Sequence, residues 1–389
     1  MLPDLIDTKE NCDLLFETLK NEPIVAMDTE FVWTRSYFPF VGIIQIGISP
    51  EKSYLLDAAT LKECPQSFRD FLENGSIMKV FHDAYQDVQI VNYYANAVTK
   101  NVLDTQLAAA FVGFGRAVPL SELVEKLCQK TLIKSETLTD WIKRPLTGAQ
   151  HEYAIDDVRY LTDCAKKLIR LASDNGVWDW IKSDCDDELL IEHPFDLPSA
   201  VERSYSRELR GVATANRPKL YRLCYAVEVL AREKNLPRSF LFKPGILAEI
   251  VNCKVDENPK NIKKTSLSPK SQERWTKFFV ENMLNQTIEV DEALLKRRSN
   301  FRDKNTLLAN ALAKEAAVKI DEAADRKGIA SSRVFNRRQI ADLVRQTVEN
   351  KELARLHGWR NVFLGEIWRK FWEEKKETAT DESLSQISA

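Results

Sequence analysis

The chain has no apolar run that approaches the ~20 residues a transmembrane helix requires. Its first residues, "MLPDLIDTKENCD", are acidic and lack both the basic start and the apolar core of a secretory signal. These absences predict an intracellular, cytoplasmic protein with no membrane partner. Seven cysteines are present, an odd number, and no two form a C-x-x-C pair. Neither a zinc site nor a disulfide framework is indicated. The four histidines, His82, His151, His193 and His357, have no metal-ligand spacing. There is no phosphate-cradling P-loop.

What remains is ordinary in bulk and uneven in detail. Hydrophobic residues make up 44% and charged residues 29% of 389 positions, enough for a large core and for two or three domains. The net charge of −2 conceals a division. Residues 1–200 carry 32 acids and 19 bases, a net of −13; residues 201–389 carry 26 acids and 37 bases, a net of +11. An acidic half suits cations and a basic half suits a polyanion, although charge spread over solvated helix faces would give the same totals.

The first ~195 residues alternate strand and helix patterns. "PIVAMDTEF", "GIIQIGIS" and "KSYLLDA" read as strands with short connections, as in a meander. "MKVFHDA" reads as a strand entering the helix "YQDVQIVNYY", and "NVLDTQLAAAF" repeats that pattern. The expectation is an α/β domain with a mixed sheet flanked by helices. After ~200 strand signals almost vanish. Two helical regions follow, the second with a long helix from ~305 to Lys327, stopped by Gly328. The tail "KKETATDESLSQISA" is small and polar, and is expected to be disordered.

Asp28 and Glu30 interrupt an apolar strand with one residue between them. Alternation puts both on one face, where like charges are costly unless a cation joins them. A hard divalent ion is the natural partner, and a strand emerging into solvent is the alternative. Asp87 stands one turn into a helix after an apolar strand, where α/β folds build sites. Tyr153 and Asp157 are four apart and share a helix face. Asp156, about 100° around that helix, reads as surface charge.

Together these residues resemble the DEDD 3′→5′ exonucleases of the tyrosine subclass. D-x-E is Asp28-Thr29-Glu30, the second motif supplies Asp87, and Y-x-x-x-D is Tyr153 to Asp157. "MDTEFVWTRSYFPFVGIIQIG", "DTQLAAAF" and "KSETLTDWIKRPLTGAQHEYAIDDVRYL" are similar to blocks of the ribonuclease D family, over roughly residues 20–175. The helical half resembles two HRDC-type domains. Asp83 departs from the family, which more often has a small residue there.

The resemblance implies a ribonuclease H-like mixed-sheet exonuclease domain over 1–195, followed by two small all-α HRDC-like domains over 205–288 and 296–375, with a tail over 376–389. It implies two divalent ions, Mg²⁺ or Mn²⁺, held by Asp28, Glu30, Asp87 and Asp157. Tyr153 would orient the attacking water. Phe31, Gln45 and His82 are candidates for contact with the terminal nucleotide. Each also has a structural reading: core packing for Phe31, a satisfied histidine for His82. Arg297, Arg298, Arg337 and Arg338, with Arg203, Arg207, Arg210, Arg217, Trp359 and Arg360, are candidates for guiding RNA; a solvated surface is the alternative for each arginine, and core packing for Trp359. The implied substrate is RNA, with tRNA precursors bearing 3′ extensions foremost, and a monomer is the default. A DNA 3′→5′ exonuclease is a second reading. An RNA-binding protein with an inactive nuclease fold is a third, opposed by the presence of all five motif residues.

Overall fold

The computed structural model describes residues 4–132, 139–290, 295, 304–350 and 352–375. Arg297, Arg298 and the tail lie outside the described residues. Six strands form one sheet: β1 (Leu5–Ile6), β2 (Ile24–Val32), β3 (Phe40–Ser49), β4 (Lys52–Leu56), β5 (Met78–Phe81) and β6 (Val102–Asp104). Their order is β1-β4-β3-β2-β5-β6. β3 and β4 pair antiparallel, while β1–β4, β2–β5 and β5–β6 pair parallel. The sheet is therefore mixed, as its meander-then-alternation pattern predicts. At two residues, β1 is too short to give a periodic signal.

Around the sheet lie α1 (Lys9–Leu19), α2 (Ala58–Leu61), α3 (Gln66–Glu73), α4 (Tyr85–Ala95), α5 (Thr105–Phe111), α6 (Leu120–Cys128), α7 (Gly148–Arg159), α8 (Leu161–Asp174) and α9 (Trp178–Leu189). The helical half adds α10 (Leu197–Glu208), α11 (Arg217–Glu233), α12 (Arg238–Leu241), α13 (Ile246–Asn252) and α14 (Pro269–Leu284). It continues with α15 (Lys304–Lys327), α16 (Ser331–Val334), α17 (Arg337–Asn350) and α18 (Gly358–Lys375).

Two units partition the chain, and neither is contiguous in sequence. The first comprises 1–31, 41–192 and 302–389; the second comprises 32–40 and 193–301. In the first unit, α15 to α18 share one apolar core with the sheet. Leu308, Ile320, Trp359, Leu364 and Phe371 belong to the same cluster as Val25, Ile44 and Val80. The Trp359 ring stacks on Trp180 at 5.0 Å and meets Phe111 edge-on at 5.2 Å. Its indole nitrogen donates to Asp184 Oδ1 at 2.7 Å. Arg360 donates to both oxygens of the same carboxylate, at 2.9 and 3.1 Å.

The second unit has its own core, formed by Val201, Tyr205, Leu223, Val227, Leu247 and Phe279 among others. It also incorporates the segment that joins β2 to β3. The backbone amides of Tyr37 and Phe38 donate to Asn235 Oδ1 at 3.0 and 3.1 Å. The Tyr37 hydroxyl donates to Glu228 at 3.0 Å, and the Arg232 guanidinium lies over the Tyr37 ring at 5.1 Å. Trp33 meets Phe195 edge-on at 5.2 Å.

Two glycines let α7 and the turn before it approach the sheet. A Cβ at Gly47 would lie 2.6 Å from the Val158 carbonyl oxygen, and one at Gly42 would lie 2.4 Å from that of Trp141. No larger residue fits either contact without displacing backbone. Arg144 fastens the same turn, donating to Asp57 at 2.6 and 2.5 Å and to Gly42 O at 3.1 Å. A capping box between Thr147 and Gln150 then starts α7.

Candidate active site

The site is built on the second half of β2. Asp28 and Glu30 project from one face of the strand, and α7 brings Asp157 to them. Ligand oxygens from these three carboxylates all lie within 4.8 Å of one another. Tyr153, one turn earlier on α7, is hydrogen-bonded through its hydroxyl to Asp157. Thr29 projects from the opposite face and donates its hydroxyl to Asp87 Oδ1. Asp87 is the third residue of α4, where the positive end of the helix favours a carboxylate. Thr29 is a site residue that motif reading passes over, because the D-x-E pattern leaves its middle position free.

Electrostatics set this cluster apart. Burial raises the Asp28 carboxyl well above the carboxylate range, and Asp87, Asp157 and Glu30 raise it further. Burial, then Asp157 and Asp87, pushes Glu30 up to about 8. Burial and Asp156 push Asp157 up to about 7, opposed by the Tyr153 hydrogen bond. Burial pushes Asp87 up to about 6, opposed by the bond from Thr29. The Tyr153 phenol is also raised, first by burial and then by Asp157 and Glu30. Four acids that resist ionisation together are a site for an external positive charge.

The donor set fits a hard divalent cation. All the ligands are carboxylate oxygens, and Asp157 Oδ2 is buried without a hydrogen-bond partner among the described residues. Asp28, Glu30 and Asp157 form the compact group, with Asp87 beside it through Thr29.

The other candidates divide. Phe31 follows Glu30, keeps partial exposure and belongs to none of the apolar clusters among the described residues. Gln45 is fully buried, with no partner for either side-chain polar atom among the described residues. It does not reach the surface. Both nitrogens of His82 are engaged inside the protein, with Thr105 Oγ1 and Val118 O, each at 2.9 Å. The structure gives it the satisfied role rather than one facing a sugar or phosphate. Asp156 is 7% exposed and pairs with Arg159 at 2.7 Å, which corrects its reading as surface charge. The reason is that α7 is covered on two sides, with Val158 in the main core and Ala154 and Ile155 in a smaller one.

Among the cations, Arg337 and Arg338 are exposed and pair with Asp321 at 3.0 Å and Asp342 at 3.9 Å. Arg203, Arg207 and Arg210 are exposed. Two candidates are corrected. Arg217 is buried and donates to Leu295 O at 2.6 Å, and Arg360 is held by Asp184. Trp359 takes its packing alternative and is in the core. A basic surface that single-residue scanning missed lies in the second unit. The 3₁₀ turn Pro259–Lys264 exposes Lys260, Lys263 and Lys264, and α14 exposes Lys270, Arg274 and Lys277 at i, i+4 and i+7. The Arg274 guanidinium lies over the Trp275 ring at 4.8 Å. The signal was present as "PKNIKK" and as helical spacing in "PKSQERWTKF".

The chain is similar to known proteins over most of its length. A 3′–5′ exonuclease family matches residues 3–172. Ribonuclease D of Desulfotalea psychrophila is 30% identical over 376 residues, covering 94% of this chain and 97% of the relative. Ribonuclease D of Bartonella henselae is 27% identical, covering 93% and 88%. The crystal structure of Escherichia coli RNase D, described as an exoribonuclease involved in structured RNA processing, superposes with a TM-score of 0.79 at 24% identity. That match covers 96% of this chain and 99% of the other.

Proposed function

Because the chain belongs to the ribonuclease D family, a family of hydrolytic 3′→5′ exoribonucleases, we propose that it trims RNA 3′ ends with divalent cations and releases nucleoside 5′-monophosphates. Two ions, Mg²⁺ or Mn²⁺, are the proposed cofactors. tRNA precursors with 3′ extensions are the proposed substrates. The observation that carries this reading is the convergence of Asp28, Glu30 and Asp157 within 4.8 Å, with Asp87 coupled to them.

Asp28, Glu30, Asp87 and Asp157 would hold the ions. A two-ion centre of this type supplies an activated water and neutralises charge on the leaving 3′ oxygen. The chain's own residues do the rest. With no cation present, their surroundings raise all four carboxylates toward the protonated form, so binding releases protons and is favoured as pH rises. Tyr153 keeps its proton at neutral pH, because its environment raises an already weak acid. It therefore acts as a hydrogen-bond donor that orients the attacking oxygen, not as a base. Thr29 fixes one oxygen of Asp87. Phe31, partly exposed beside Glu30, offers a face for a terminal base.

Lys263, Lys264, Lys270 and Arg274 would contact RNA phosphates further from the 3′ end, with no dependence on sequence. The second unit would thus favour long substrates without entering the chemistry.

The test is incubation with 5′-labelled RNA and matched DNA, with Mg²⁺, with Mn²⁺, or with chelator. Metal-dependent shortening of RNA is expected. Preference for DNA, or binding of RNA without cleavage in any metal, overturns the reading.

A further inference from the structure

Asp104 makes an unusual set of bonds for a residue outside the acidic cluster. It ends β6, opposite Phe81 at the end of β5, and is 8% exposed. One of its oxygens accepts from the amides of Gln106 at 2.8 Å and Leu107 at 3.3 Å, which is an ordinary N-cap for α5. The same oxygen also accepts from the amide of Asp83 at 3.0 Å, and the other oxygen accepts from that of Ala84 at 3.2 Å. Those two amides precede α4. That helix has Ala84 at its N-cap, with no side-chain cap of its own. One carboxylate therefore holds the starts of two helices.

The bonds to Asp83 and Ala84 hold a turn that would not hold itself. Asp83 has φ +62, a left-handed conformation that L-residues adopt at a cost. His82, just before it, is pinned by Thr105 and Val118 at 2.9 Å each. Three residues past Ala84 comes Asp87. The rotation and height at which α4 begins decide where Asp87 points and whether it meets the Thr29 hydroxyl.

We propose that Asp104 is a positioning residue for Asp87, acting as the missing cap of α4 and fixing the orientation of that carboxylate toward the acidic cluster. It touches neither substrate nor cluster. The proposal rests on the nuclease reading for its kinetic consequence, but its structural part stands apart from it.

Asp104→Asn removes the Ala84 bond and leaves the α5 cap. Asparagine keeps the oxygen that the α5 amides share with Asp83, and asparagine is itself a good N-cap. Its amide group then faces the Ala84 N–H with a donor in place of an acceptor. In metal-free protein, hydrogen exchange read by mass spectrometry is expected to quicken in peptides spanning 82–90 and to stay at the wild-type rate over 105–111. In Mg²⁺, kcat on a short RNA is expected to fall about 10–100-fold, with KM within about twofold, as for residues that orient a metal-site ligand. Asp104→Ser is the second variant, in case the first does not fold. Its hydroxyl caps α5 but cannot serve both groups of amides, so the same pattern is expected. Unchanged exchange over 82–90 overturns the proposal. So does wild-type kcat despite faster exchange, or equal loss of protection over both helices, which would mark Asp104 as a general support. If the wild-type protein cleaves no RNA, the nuclease reading fails while the exchange result still judges the clamp.

Discussion

Asp28 and Asp184 are both aspartates set into the first unit, and they are treated in opposite ways. Asp184, 2% exposed along its side chain, is met by a guanidinium and an indole N–H. Asp57 and Glu208 are likewise met, by Arg144 at 2.5 Å and Arg238 at 3.0 Å. Asp28 is met by other acids, and burial and repulsion hold its proton on. Among the described residues no lysine or arginine forms an ion pair with Asp28, Glu30 or Asp157. A buried acid with its own cation is architecture, since removing either partner strands the other. A buried acid among acids depends on a charge from outside the chain.

The largest effect that sharpens this contrast is in activity. Asp28→Asn is expected to lower kcat by about 10³-fold or more, the upper range for losing one principal charge-stabilising group. Its melting temperature in chelator should be equal to or above that of wild type, since the amide cannot ionise among the other acids. A lowered melting temperature with residual high activity would place Asp28 with Asp184. The reverse experiment is Asp184→Ala. It strands Arg360 and is expected to cost about 3 kcal/mol in unfolding free energy, the low end for breaking a buried pair because the guanidinium is partly exposed. Denaturant unfolding reads it. An unchanged midpoint would remove the architectural role.

A smaller effect follows from pH. Glu30, Asp157 and Asp87 titrate near 8, 7 and 6 in the folded protein, against about 4 in an unfolded chain. Folded-state values are raised, so the folded form binds more protons between those limits. The stability these groups contribute is full below about pH 4 and is lost as pH rises to about 8. In chelator, thermal melts from pH 5.5 to 8 should fall more steeply for wild type than for Asp28→Asn, and Mg²⁺ should restore most at pH 8. Parallel curves would show that the acids are not strained. The smallest effect concerns the second unit. Lys263→Ala with Lys264→Ala should make the slope of log K against log salt shallower by about 1.4 for single-stranded RNA, at about 0.7 per phosphate contact. Fluorescence anisotropy in chelator measures it, and an unchanged slope would return those lysines to the solvated surface.

The contrast also marks what a sequence can disclose. The strands β2, β3 and β4 were legible because apolar periodicity and short connections are local. Asp28, Glu30, Asp157 and Tyr153 were legible because strand alternation and i, i+4 spacing carry geometry directly. The role of Arg360 was not. Its partner Asp184 lies 176 positions away, and an arginine beside a tryptophan reads the same whether it faces water or a buried acid. Thr29 and Asp104 were hidden for a related reason. Each works through a bond to a residue on another element, at separations of 58 and 20–21 positions. Asp156 was misplaced because one helical wheel does not disclose that α7 is covered on two sides.

One consequence follows from the division of the chain into interleaved units. The core shared by the sheet and α15 to α18 includes Phe371. During synthesis that core cannot close until residues up to about 371 have left the ribosome. Phe111 and Trp180, which later meet Trp359, are made more than a hundred residues before it. At about 5–20 residues per second, they wait on the order of ten seconds or more for their partner. The second unit needs only residues up to about 301 and can finish first. Cutting the chain after residue 200 would not simply remove a separate helical region. It would leave the sheet as permanently unfinished as it is in a nascent chain.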